Sequence, residues 1–171
     1  MSSVELLKFD PTRDAELLAG WLRKTHVSRW WGDPEVQLKT LLERPVGGGD
    51  ALIAIDGRPV GYVRWQQVPR HELEAAGIVE VPDGAIDIDI AIGDEAFVGR
   101  GIGPAALRQT VARIMETGHP PMIIMGTAIS NDSALKAFSK AGFRPVRQFE
   151  DPEYGGFWLL CHLAGLGGGE E

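Results

Sequence analysis

The seventeen residues from Asp87 to Gly103, D-I-D-I-A-I-G-D-E-A-F-V-G-R-G-I-G, restrict the fold more than any other part of the chain. Ile86, Ile88, Ile90 and Ile92 alternate with Asp87, Asp89 and Ala91, so a strand here has one aliphatic face and one face carrying two acids. The stretch ends in Gly99-Arg100-Gly101-Ile102-Gly103, and a helix follows to Thr117 with Leu107, Val111, Ile114 and Met115 on one side. Strand, glycine turn and helix together make a phosphate site. Glycines let backbone N–H groups approach an anion, and the helix N-terminus adds the positive end of its dipole. Two acids on the strand that feeds the turn place reactive groups beside that cradle.

The rest of the chain supplies strands and helices around this unit. Val4 to Phe9 reads as a strand, and Asp10-Pro11 starts a helix with Asp10 as N-cap and Leu17, Leu18, Trp21 and Leu22 as its apolar face. After T-H-V-S-R-W-W-G (Thr25 to Gly32), Asp33-Pro34 starts a second helix to about Arg44. Ala51 to Ile55 and Val60 to Gln66 form a hairpin around Asp56-Gly57. Val68 to Gly84 is a long loop with one helical turn at His71 to Ala76. Pro121 to Gly126 is a buried strand, and Asn131 to Ala141 a helix ended by Gly142. Phe143 to Glu150 and Phe157 to Leu163 make a terminal hairpin. The order predicts an α/β (α+β) fold with a mixed, mostly antiparallel central sheet and helices on both faces. One domain over residues 1–165 and a flexible tail over 166–171 are expected.

Composition excludes some classes. No apolar run approaches the ~20 residues of a membrane span, and no N-terminal segment has the pattern of a secretion signal. A single cysteine, Cys161, forms no internal disulfide and suits a reducing cytoplasm. A formal net charge of −7 argues against nucleic acid and for a cationic partner, or serves solubility alone. No metal cluster and no nucleophilic triad is visible.

V-G-R-G-I-G (Val98 to Gly103) resembles the acetyl-CoA pyrophosphate loop of the GNAT superfamily of N-acetyltransferases. N-D-S-A-L-K-A-F-S-K-A-G-F (Asn131 to Phe143) resembles the superfamily's second motif, and G-R-P-V-G-Y-V-R-W (Gly57 to Trp65) its G-x-x-I-G-Y strand. The segment His26 to Gly32 and the spacing of Asp89 from Gly99 are similar to those of aminoglycoside 6′-N-acetyltransferases, whose activity is antibiotic resistance. Siderophore-pathway acyltransferases carry a similar H-x-x-x-W-W-G segment. The resemblance implies an acetyl-CoA-dependent enzyme that acetylates a primary amine by direct transfer in a ternary complex. The implied acceptor is a small cationic amine such as the 6′-amine of an aminoglycoside, bound by a cytoplasmic monomer or homodimer that needs no metal.

The resemblance also implies roles. Val98, Gly99, Arg100, Gly101, Ile102, Gly103, Asn131 and Phe138 fall at cofactor positions. Asp89 matches the catalytic aspartate; a strand carboxylate can take the proton of an ammonium directly or through water. Asp87 points the same way and is expected to bind the acceptor or share the proton; acids that only make the strand soluble are the alternative. Trp30 or Trp31 lines the acceptor pocket, unless both serve packing at a helix junction, and His26 is structural. Tyr62 and Trp65 reach the acceptor groove or lie in the core. Glu153, with Glu72, Glu74, Glu80 and Asp83, builds an acidic pocket or a solvated loop. Two departures stand out. Phe138 replaces the tyrosine that protonates the leaving thiolate, which also admits a non-catalytic acyl-CoA-binding module. Gly126 replaces a second acid of the aminoglycoside enzymes, which admits another small amine, such as a siderophore precursor, as acceptor.

Overall fold

The computed structural model of the chain describes residues 3–162. Seven strands form one sheet: β1 (Val4–Lys8), β2 (Gly49–Ile55), β3 (Arg58–Gln67), β4 (Ile86–Ile92), β5 (Ile123–Ala128), β6 (Phe143–Asp151) and β7 (Gly155–His162), in the spatial order β1-β2-β3-β4-β5-β7-β6. All neighbours are antiparallel except β4 and β5. The expected mixed, mostly antiparallel sheet is therefore present. Leu163 and the tail expected over 166–171 lie outside the described residues.

The helices are α1 (Ala15–Leu22), α2 (Thr25–Trp31), α3 (Pro34–Leu42), α4 (Arg70–Ala75), α5 (Ile102–Thr117) and α6 (Asp132–Lys140). α5 and α6 cover the aliphatic face of the sheet. There Leu107, Val111, Ile114 and Phe138 pack against Ile86, Ile88, Val63, Trp65, Ile123, Met125 and Leu160. α1, α2 and α3 cover one half of the other face, over Leu52 and Tyr62. α4 and its loop cover the far part, over Ile124 and Leu159. Asp87 and Asp89 lie on this second face, between the two coverings.

Several starts and stops differ from expectation for local reasons. Asp10 does cap, but it caps a single turn: its carboxylate accepts from the N–H groups of Thr12 (2.9 Å) and Arg13 (3.0 Å), and the helix proper begins at Ala15. Leu17, expected on the buried face, is exposed, and Ala19 takes its place inside. Thr25 to Trp31, left unassigned from the sequence, is helical. Asp33 caps α3 as expected, accepting from Glu35 and Val36. Asp56 and Gly57 both have positive φ, 49° and 82°, as a type I′ hairpin turn requires.

The parallel pair is short. β4 and β5 share a register only at Ile86–Ile123 and Asp87–Ile124, then diverge. β4 stays paired with β3 to Ile92. Alternate residues of a strand direct their N–H and C=O to the same edge, and Ile86 donates toward β5, to the carbonyl of Met122 at 2.9 Å. Ile90 and Ile92 therefore present their main chain to an open gap between the two strands.

Candidate active site

The gap leads to the glycine turn. Val98 (50% exposed), Gly99, Arg100 and Gly101 are exposed, Gly103 is half-buried and Ile102 is buried. Gly101 is the N-cap of α5 in a left-handed conformation, φ 77°, and no side chain caps the helix. Pro104 occupies the first turn, so one of the donors that would need a partner is missing by construction. The N–H groups of Ile102 and Gly103 are left for an incoming anion. Arg100 and Arg58 stand over the Phe97 ring, 5.3 Å and 5.4 Å from its centroid, and add positive charge beside the turn. These residues fit a pyrophosphate.

On the second face of the sheet Asp87 and Asp89 are half-buried, at the edge where β4 leaves β5. Loss of hydration pushes Asp87 well above the usual carboxylate range, helped by Asp89 and then Glu72. Asp89 is pushed up to about 6, again chiefly by loss of hydration; Arg64 opposes this and Glu72 adds to it. Glu72 reaches this site from α4, so three acids share one region. Among the described residues no group of His, Cys, Asp and Glu is placed to hold a metal ion. The acids instead suit a bound cation and the release of its proton.

The walls of the groove come from distant parts of the chain. β5 contributes Gly126, which is exposed; a Cβ there would meet Phe157 at 3.8 Å and Phe149 at 3.9 Å. Phe149, Phe157 and Tyr154 form a run of rings, with centroids 5.8 Å and 6.4 Å apart. Across from them, Gln37 of α3 donates to the Tyr154 hydroxyl at 3.2 Å. Tyr154 also lies against Gly32, where a Cβ would sit 3.0 Å from the ring and φ is 89°. The tip of the β6–β7 hairpin thus reaches over to the α2–α3 junction.

Not every expected residue joins this groove. Tyr62 does not line it: its side chain is 1% exposed and its hydroxyl donates to Asp50 at 2.9 Å, within the core under α1 to α3. Burial, then the Asp50 charge, push its hydroxyl above the usual tyrosine range. Trp65 is on the opposite face, in the larger core. Trp31 packs against the cluster that holds Tyr62 and Ala91, whereas Trp30 is half-buried with Arg29 over its ring. His26 joins α2 to the open edge of β4, its Nε2 2.9 Å from the Ile92 carbonyl oxygen. Of the loop acids, Glu80 pairs with Arg147, Asp83 pairs with Arg70, Glu74 is exposed, and Glu72 acts on the aspartates. Glu153 is exposed in the hairpin turn beside Tyr154. Asn131 caps α6 by accepting from the Ala134 N–H. Phe138 is 8% exposed, in the core between α6 and the sheet. Cys161 is buried, which raises its thiol above the usual range.

Two contributors were missed from the sequence. The open edge of β4 arises from divergence of two strands far apart in the chain, and nothing local signals it. Arg64, buried behind Asp89, had one available signal: a charge in the middle of an otherwise apolar hairpin strand.

Comparison with known proteins gives the family and the fold. The acetyltransferase (GNAT) domain family matches residues 10–151. The chain is 24% identical over 146 residues to an aminoglycoside N(6′)-acetyltransferase type 1 of Klebsiella pneumoniae, covering 80% of this chain and 72% of that one. It is 27% identical over 117 residues to a lysine N-acyltransferase, MbtK, of Mycobacterium sp. (strain MCS), covering 63% and 45%. The fold is similar to that of AAC(6′)-Ib solved with ribostamycin and coenzyme A, with a TM-score of 0.77 at 21% identity, covering 99% of this chain and 98% of that one.

Proposed function

The chain belongs to the GNAT acetyltransferase family, and we propose that it transfers an acetyl group from acetyl-CoA to the primary amine of a small polycation, with the 6′-amine of an aminoglycoside as the acceptor. The observation that carries this reading is the acid group Asp87, Asp89 and Glu72 at the mouth of the gap between β4 and β5. A cationic acceptor is attracted there, and its reacting nitrogen comes to lie beside the strand edge.

Acetyl-CoA supplies the activated acyl group as a thioester. The turn from Val98 to Gly103 holds its phosphates through backbone N–H groups, and the main chain of Ile90 and the Ile92 N–H hold its extended arm, the Ile92 carbonyl being engaged by His26. Asp89 receives the proton of the acceptor ammonium, so that the nitrogen lone pair can attack the carbonyl carbon. Glu72 attracts the acceptor by charge, and Asp87 holds it by hydrogen bonding. As the carbon–sulfur bond breaks, the nitrogen releases its second proton to solvent; Phe138 offers none to the sulfur, and solvent supplies the proton that the thiolate takes up. A thiol has an ordinary pKa of about 8.5, so its thiolate is a fair leaving group near neutrality.

Thioester consumption with a panel of amines tests the reading. Kanamycin-like acceptors should turn over faster than lysine-like or arylamine acceptors. Asp89→Asn should lower kcat/KM by about 10²–10⁴, with a smaller loss at high pH, where more free amine is present. A fully active Asp89→Asn enzyme would remove Asp89 as the base whatever the acceptor.

A second reading has its own support. Gly126 leaves the floor of the groove uncharged next to Phe149 and Phe157, and suits an amine with an apolar body, such as a siderophore precursor. Inert aminoglycosides together with turnover of a neutral or hydroxamate-forming acceptor would favour it.

A further inference from the structure

Three charged side chains stand in one row across three strands. In the registers of the sheet Asp50 of β2 lies opposite Arg64 of β3, and Arg64 lies opposite Asp89 of β4. Residues directly opposite one another share a face, with Cβ atoms about 4.5–5.5 Å apart. Arg64 is 3% exposed, yet its guanidinium bonds only to neutral groups. Nη1 donates to the carbonyls of Leu41 (3.1 Å) and Glu43 (2.9 Å), and Nε and Nη2 donate to Gln66 Oε1 at 3.3 Å and 3.1 Å. The hydrogen bonds fix its position and leave its charge unneutralised. Asp50 is already engaged, by an ion pair with Arg44 and by the Tyr62 hydroxyl. The carboxylate left to balance Arg64 is Asp89.

We propose that Arg64 is the positioning residue that decides which of the two strand carboxylates carries the negative charge: Asp89 is ionised and Asp87 holds the proton. This rests on the reading of Asp89 as base. Asp87 sits one pair further along the strand, opposite the neutral Gln66, and receives no such counter-charge. The other groups that face Asp89 are its neighbour Asp87, whose own charge it disfavours, and, from α4, Glu72, which opposes its ionisation. His26 of α2 meets β4 further along, at the Ile92 carbonyl. From β3, Tyr62 is held as the neutral phenol by burial. Arg64 is thus the cation that acts on the pair, and it acts from inside the sheet without touching the acceptor. It lets two neighbouring acids divide the work, one as proton acceptor and one as neutral hydrogen-bond partner.

The experiment is the pH profile of kcat/KM in variants of Arg64. The acid limb of the native enzyme should lie near the Asp89 value of about 6. An opposite charge within ~4–6 Å lowers a carboxylate's pKa by about one to three units. Arg64→Gln should therefore move the limb up by at least about one pH unit, with the acetyl-CoA KM unchanged. Arg64→Lys keeps the charge and loses the fork, so it should lower the plateau while leaving the limb near its native place. Equal limb shifts in both variants, or none in a folded Arg64→Gln protein, would overturn the proposal. Loss of the clamp on Leu41 and Glu43 can unfold these variants, so the native protein offers a separate test. Its carboxyl carbons, followed by carbon-13 NMR, should show Asp89 ionising at lower pH than Asp87; the reverse order overturns the proposal. This titration is independent of catalysis, so it distinguishes a failed role for Arg64 from a failed role for Asp89 as base.

Discussion

At the scale of single residues, the site is built from groups that oppose the stability of the fold. Asp87 binds its proton more tightly in the folded chain than in the unfolded one, because burial and two acids disfavour its charge. The sign follows by linkage. A raised folded-state pKa favours folding at low pH, below the ordinary carboxylate value, and that contribution is lost as pH rises through the folded value. Asp87→Asn removes the charge and keeps the shape. It should raise the melting temperature at pH 8 by about 2–4 °C, the equivalent of about 1 kcal/mol in a chain of this size. The gain should vanish at about pH 2.5, well below the ordinary carboxylate value, where both states of the native residue are neutral. Thermal denaturation at the two pH values checks this, and an equal gain at both would point to packing instead of charge. In the same variant the acceptor KM should rise more than kcat falls. Arg64 is the opposite case: its bonds to two carbonyls of the α3 terminus tie the helix to the sheet, so the residue that biases the acids also supports the wall beside them.

At the scale of elements, the glycine turn and α5 separate two demands that glycine meets. Gly101 has a φ of 77°, whereas nothing lies within 4 Å of a Cβ built at either Gly101 or Gly103. An alanine at 101 is strained by about 1 kcal/mol. An alanine at 103 fits the free protein and improves helix propensity. Gly103→Ala should leave thermal stability within about 0.5 kcal/mol of native or slightly above it, yet weaken acetyl-CoA binding about tenfold or more, since one methyl group in the path of a phosphate costs at least about 1.4 kcal/mol. Calorimetric titration and thermal denaturation, measured on one sample, check both halves. The turn and its helix were legible because they are local: strand alternation, glycines and helix period all lie within one stretch. Asp33-Pro34 and Asp56-Gly57 were legible for the same reason. α2 was not, because seven residues without a capping side chain and with two adjacent tryptophans show no helical period. Tyr62 was left between groove and core because strand alternation gives the face a side chain is on, not what covers that face. The partner of Arg64 was hidden because it lies on β4, across the long loop from β3, and no local feature of either strand fixes the register between them.

At the scale of the whole molecule, the proposed acceptor groove is closed by residues far apart in the chain. Tyr154 bonds Gln37 and packs on Gly32, so the terminal hairpin is fastened to the first helices across the acids. Tyr154 is still 43% exposed, which makes it a wall more than a core residue. Tyr154→Ala should raise the acceptor KM about five- to tenfold, a loss of about 1–1.4 kcal/mol, and leave acetyl-CoA affinity unchanged. Parallel titrations of the two ligands check this; equal weakening of both would show that the hairpin supports the whole site. The fold itself has a related property. Its seven strands are not one continuous fabric, because the four strands from β1 to β4 meet the three from β5 to β7 through two rungs alone, Ile86–Ile123 and Asp87–Ile124. In hydrogen bonding the sheet is two plates joined at a short seam, held together beneath by the common core under α5 and α6, and the proposed chemistry lies along the line where they part. On the proposed reading, a donor laid into that line supplies cross-links that the polypeptide leaves out, and so becomes a structural member of the loaded enzyme.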